Sequence, residues 1–75
     1  MHQKGYNMWN KNNVIAQYIK AQRKKYGITQ ESFAIKTGLG LRFVRELEQG
    51  KDTVRMDKVL VALNFFNAEL IVKEN

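Results

Sequence analysis

Residues 29–51 read TQESFAIKTGLGLRFVRELEQGK, and this stretch decides the fold. Thr29 is a good helix N-cap because its hydroxyl can accept from an orphan backbone amide, and Glu31 falls in the positively polarised first turn. A helix is predicted over residues 30–37, with Phe33 and Ala34 facing inward and Gly38 as its stop. Leu39 drops toward the core, and a second helix follows over 40–49, ended by Gly50. Two short helices joined by a tight turn cross closely only if a small residue sits at the crossing, and Ala34 supplies it. The turn needs a residue that tolerates positive φ, which is Gly38. The second helix needs an apolar anchor, which is Val44.

Working outward, residues 12–26 carry Ile15, Tyr18, Ile19 and Tyr26 on a helical stripe with Val14 alongside. Asn12 or Asn13 can cap this helix, Lys24 and Lys25 suit its last turn, and Gly27 ends it. A fourth helix is predicted from about Met56 to Phe66, with Met56, Val59, Leu60, Leu63 and Phe66 as its stripe and Asn67 as a left-handed cap. Leu60, Val61 and Phe65 add more apolar surface than one face requires, which suggests a second buried interface. Ala68–Val72 is rich in strand formers and short, so a strand is expected there. A lone strand needs a partner, and the simplest is the same strand of a second copy. Addition of that strand to a partner's sheet is the competing possibility. The division that follows is a polar arm over 1–10, a helix-turn-helix domain over 11–67 and a tail over 68–75. Met8 and Trp9 in the arm are expected to pack on the first helix.

Composition bounds the function. The chain has 75 residues, 13 Lys and Arg against 7 Asp and Glu, and a formal charge of +6, which favours a polyanionic partner. The chain lacks cysteine, so disulfides and Cys-based metal sites are excluded, in keeping with a reducing cytoplasm. Neither an apolar run long enough for a membrane span nor the apolar stretch of a signal peptide is expected. His2 is the single histidine and Ser32 the single serine, and no glycine-rich phosphate loop or metal-ligand spacing occurs. No catalytic residue, metal or cofactor is therefore expected, and the chain does not read as an enzyme.

The segment Arg23–Gly50 resembles the Xre/Cro-type helix-turn-helix proteins, which include phage repressors. Thr29-Gln30-Glu31, Ala34, Gly38, Val44, Glu48 and Gly50 stand where that pattern wants them, and the resemblance covers roughly residues 14–66. It implies an all-α, lambda-repressor-like helix-turn-helix bundle of four to five helices, here with a short C-terminal strand. GLGLRFVRELEQGK together with TVRMDKV is similar to antitoxins of the HipB-like branch. That likeness implies a homodimeric repressor of its own HipBA-type toxin-antitoxin operon, with double-stranded DNA bearing a palindromic operator and a HipA-like kinase toxin as partners. HipB-like proteins also end in a short strand paired across the dimer, which is the place of Ala68–Val72. A free-standing or phage-type regulator without a toxin, and an interaction module docking an acidic partner, are the alternative readings.

The faces of helix 40–49 separate cleanly at about 100° per residue. Val44, Leu47 and Glu48 share one side with Phe43 flanking; Arg42, Arg45, Glu46 and Gln49 take the other. The N-terminal end of a reading helix reaches deepest into the major groove, so Arg42 comes first, its fork matching O6 and N7 of guanine. Leu41 would touch a thymine methyl or simply pack. Glu46 would accept from cytosine N4 or pair with Arg42 one turn earlier. Arg45 completes the base-side group, though backbone is its more natural contact. Gly40 and Leu41 depart from the family, where small polar or amide residues are common. The resemblance further implies phosphate contacts from Gln30, Thr29, Phe43, Lys51 and Arg55, with Lys11 and Lys20 extending the rim, and a structural ion pair between Arg23 and Glu48. The expected dimer contacts are Leu60, Val61, Phe65, Leu70 and Val72.

Overall fold

A computed structural model describes residues 13–74. The arm expected over 1–10, with Met8 and Trp9, and the rim candidate Lys11 lie outside the described residues. Four helices follow in chain order among the described residues: α1 (Val14–Lys25), α2 (Gln30–Thr37), α3 (Leu41–Glu48) and α4 (Met56–Phe65). α1 and α3 are shorter at both ends than the predicted spans because their flanking residues serve as caps. Asn13 Oδ1 accepts from the Ala16 amide at 3.0 Å and Thr29 Oγ1 from the Ser32 amide at 3.0 Å, so each satisfies a first-turn donor.

All four helices end the same way. An amide five residues on returns to a carbonyl near the helix end: Ile28 to Arg23, Leu39 to Ala34, Lys51 to Glu46 and Ala68 to Leu63, at 2.9–3.2 Å. This six-to-one bond folds the chain back over the helix it has just left. Three of the four returning residues, Ile28, Leu39 and Ala68, pack on the core as a result. The fourth, Lys51, carries its charge back over α3 instead. Asn67, at φ 60, takes the left-handed place at the end of α4.

The core is built from Ile19 of α1, Phe33 and Ala34 of α2, Leu39 of the turn after α2, Val44 and Leu47 of α3, and Val59, Ala62 and Leu63 of α4. Fully burying each of the larger side chains contributes about 1.5–3 kcal/mol. The buried face of α1 is Ala16, Ile19 and Arg23, at the i, i+3, i+7 spacing of one helix side. Val14 lies five residues from Ile19 and therefore points outward. Tyr26 sits beyond the helix, where its ring stacks on Phe66 with centroids 6.1 Å apart. Phe66 also stacks on Phe33 at 5.4 Å, and Phe65 meets Phe33 edge-on at 5.2 Å, so aromatic contacts fasten the end of α4 to α2. Met56, expected on the inner stripe of α4, is exposed.

The C-terminal strand expected at Ala68–Val72 is not formed. Residues 68–74 contain no strand, and no β-ladder occurs among the described residues. The physical reason is the absence of a template: the regular elements among the described residues are all helices, and strand formers without a ladder gain nothing from extended geometry. Leu70, Ile71 and Val72 are left exposed, Val72 to 94%. The fold is an all-α four-helix bundle, with neither a fifth helix nor a strand among the described residues.

Candidate nucleic-acid interface

The turn between α2 and α3 sets the pose of the whole site. Gly38 has φ 74 and Gly40 has φ 87, ψ 143, the latter in a region that is essentially glycine's alone. A Cβ built on either residue meets nothing within 4 Å, so the requirement is torsional and not steric. Gly40 is the N-cap of α3 and provides no side-chain capping bond, leaving the first amides of α3 without a side-chain acceptor from the cap.

α3 is then locked from behind. Val44 and Leu47 are buried in the core, and Glu48 reaches across to α1. Arg23 donates Nε to Glu48 Oε2 at 2.7 Å and Nη2 to Oε1 at 2.9 Å, a fork-to-carboxylate pair, and Nη1 to the Ile28 carbonyl at 2.9 Å. Gln30 Nε2 adds a third donor to the same carboxylate at 3.1 Å. Hydrogen bonding to Glu48, reinforced by its charge, outweighs burial and raises the Arg23 guanidinium above its ordinary pKa. One residue from each of α1, α2 and α3 thus joins at the Glu48 carboxylate, fixing α3 against the other two. Every buried side-chain polar atom among the described residues has a partner.

The opposite face of α3 is open. The Arg42 side chain is 90% exposed, and Arg45 and Gln49 are exposed beside it. Leu41 and Phe43 are half-buried and pack against the core, with Lys58 Nζ 5.5 Å from the Phe43 ring centroid. Glu46 receives two cations: Arg42 Nε at 3.2 Å and Lys51 Nζ at 3.2 Å. These partners hold its carboxyl below the usual range, Lys51 more strongly than Arg42. Arg45 lies 3.9 Å from Glu31 of α2. Arg55 donates to both oxygens of Asp57 at 3.1 and 2.7 Å and holds that carboxyl low as well.

A family profile described as Helix-turn-helix matches residues 19–71, the greater part of the chain. The chain belongs to the helix-turn-helix family. It is similar to an uncharacterized HTH-type transcriptional regulator, y4mF, of Sinorhizobium fredii, with 39% identity over 49 residues covering 65% of this chain. The match spans 64% of that protein's length. In the helix-turn-helix, α2 and α3 are the crossing pair and α3 stands in the place of the reading helix.

The structure brings Leu41, Arg42, Arg45 and Glu46 onto or beside the open side of α3, and Thr29 and Gln30 to the start of α2. Lys51 and Arg55 occupy the loop before α4, and Lys20 is exposed on α1. Leu60, Val61 and Phe65 are 39%, 42% and 38% exposed on α4. Three features of the helix-turn-helix escape a reading of spacing alone. Gln30 is already engaged with Glu48, a pairing between residues 18 apart in sequence. Lys51 sits five residues after Glu46, off the helical period, and meets it only because the six-to-one turn folds it back. Gly40 gives no sign of its torsion beyond being glycine. No described helix is long and apolar enough to cross a membrane, and no group of three metal-capable side chains occurs among the described residues.

Proposed function

We propose that this protein is a sequence-specific DNA-binding transcriptional regulator that acts as a repressor, with α3 laid in the major groove. The observation that carries this reading is the two-sidedness of α3: one face locked through Glu48 to Arg23 and Gln30, the other projecting Arg42 into solvent. A rigidly held helix, about 10–12 Å across with its side chains, suits a groove about 12 Å wide. Arg42 reads guanine from the first turn, Leu41 meets a thymine methyl beside it, Arg45 stands on the same side of the helix, and Glu46 orients Arg42 from one turn later. Thr29, Gln30, Phe43, Lys51 and Arg55 contact the backbone, where the N-terminus of α2 also favours phosphate.

The regulator works as a homodimer. One helix of this length spans too few base pairs for useful specificity, and two copies one helical turn apart, about 34 Å, read a palindrome. The exposed apolar positions Leu60, Val61 and Phe65 of α4 supply the contact, with Leu70 and Val72 of the tail adding apolar surface. The narrower role, antitoxin to a HipA-like kinase, is supported by the resemblance of 38–51 and 53–59 alone. Co-expression with a kinase encoded in the adjoining reading frame tests that role: a stable complex supports it, and its absence leaves a free-standing regulator.

Selection from randomised duplexes, followed by titration at 50–200 mM salt, tests the reading as a whole. The proposal expects enrichment of a two-fold site, and an affinity that falls steeply with salt on any duplex. Retention without enrichment, collapsing with salt, would instead describe a basic module that docks acidic surfaces.

A further inference from the structure

Each cation expected to touch DNA from α3 or the following loop is already paired with a carboxylate of the same chain. Arg45 faces Glu31, Arg55 faces Asp57, and Arg42 and Lys51 share Glu46. Glu46 alone holds two, and the fold builds that bridge deliberately. Arg42 lies one turn earlier on α3, and Lys51 is folded back by the bond from its own amide to the Glu46 carbonyl, at 3.1 Å. The Glu46 side chain is 20% exposed and that of Lys51 29%, against 90% for Arg42.

We infer that Glu46 is a specificity-setting positioning residue, which suppresses non-specific phosphate binding by Arg42 and Lys51 while presenting Arg42 to a base. The inference deepens the proposed function and rests on it. Two consequences follow from the geometry. Glu46 takes the Nε edge of Arg42, so the two terminal Nη groups are left for an outside acceptor, in the end-on orientation that matches the two acceptors of guanine. An approaching phosphate, in contrast, must displace a carboxylate already 3.2 Å from Lys51 Nζ and 3.2 Å from Arg42 Nε. Any duplex offers phosphates, so this competition weakens binding everywhere; only a site with guanine in the right place recovers the loss through Arg42.

The test uses the full chain and compares wild type, Glu46→Gln, Glu46→Asp and Glu46→Gln/Lys51→Ala on two duplexes, the selected site and a scrambled one, by fluorescence anisotropy over a salt series. Glu46→Gln keeps the shape and removes the charge. On the scrambled duplex it is expected to tighten binding about tenfold and to steepen the salt slope by about 0.9, the value of one additional phosphate contact. On the selected site the change is expected to be much smaller, so discrimination falls by roughly the same tenfold. Adding Lys51→Ala should return the slope to the wild-type value. Glu46→Asp keeps the charge, is too short to reach both cations, and should give intermediate discrimination.

Unchanged discrimination in Glu46→Gln overturns the inference, as does an equal loss on both duplexes, which marks a merely structural role. A changed preferred base at one position also overturns it, because Glu46 would then be reading that base itself. A wild-type chain that selects no sequence removes the proposed function, and this inference with it, whereas a selective wild type with an unaltered variant removes only the inference.

Discussion

Replacing Arg23 with methionine removes the guanidinium and keeps most of the aliphatic volume, so its effect isolates the ion pair that fixes α3. In the native arrangement Glu48 accepts two bonds from Arg23, at 2.7 and 2.9 Å, and one from Gln30 at 3.1 Å, with its side chain only 3% exposed. The substitution leaves Gln30 as the sole donor to that carboxylate and frees the Ile28 carbonyl, bonded by Arg23 at 2.9 Å. Stranding one member of a buried pair costs about 3–5 kcal/mol, and an unpaired carbonyl adds about 1 kcal/mol. Domains carry roughly 0.05–0.15 kcal/mol per residue, so the whole stability available to 75 residues is about 4–11 kcal/mol. Arg23→Met is therefore expected to leave the chain at the edge of folding. The double variant Arg23→Met/Glu48→Leu removes both charges and is expected to recover to within about 1–2 kcal/mol of the parent, since apolar replacement of a buried pair is often neutral. Urea titration followed by circular dichroism measures both, with the slope checked for constancy. A single variant that loses less than about 1 kcal/mol, or a double variant no better than the single, would refute the reasoning that Glu48 is held chiefly by Arg23.

Gly40→Ala is expected to cost about 1–3 kcal/mol although no atom lies in the way, because φ 87 with ψ 143 excludes a Cβ-bearing residue; a wild-type urea midpoint would contradict this. Glu46 and Asp57 titrate below their ordinary ranges in the folded state, so their contribution to stability is complete above about pH 4.3 and is lost as pH falls through the lowered values. Thermal melts from pH 7 to pH 3 should show that acid loss reduced in Glu46→Gln, and an identical profile counts against the bridge. Val61→Lys, on an exposed position of α4, should leave folding intact and shift sedimentation from dimer to monomer; a monomeric parent at micromolar concentration removes the dimer altogether.

The sequence declared the helical core because its signals are local. Thr29 before a helix, Gly38 after it and Val44 inside the next are short-range choices whose physics does not depend on distant residues, and all three hold their expected places. The family pattern likewise led to Arg23 and Glu48, 25 residues apart, which no spacing rule connects. What stayed hidden depends on how the chain closes. Lys51 meets Glu46 through a turn that only the folded end of α3 creates, and Gln30 turns to Glu48 only once α2 lies beside it. The tail shows the opposite failure: Leu70, Ile71 and Val72 have the composition of a strand, but composition cannot supply the ladder that makes one.

The most direct test of the central claim, that α3 reads base edges through Arg42, is a double cycle between the protein and its selected site. Arg42→Ala is combined with 7-deazaguanine, which removes the N7 acceptor, placed at each guanine of a half-site in turn. The account predicts one guanine at which the base change weakens wild-type binding by about 1–3 kcal/mol and leaves Arg42→Ala unaffected, while the variant keeps a salt-dependent affinity for any duplex. Equal sensitivity of wild type and Arg42→Ala at every guanine would contradict the account, and α3 would not be reading DNA through that residue.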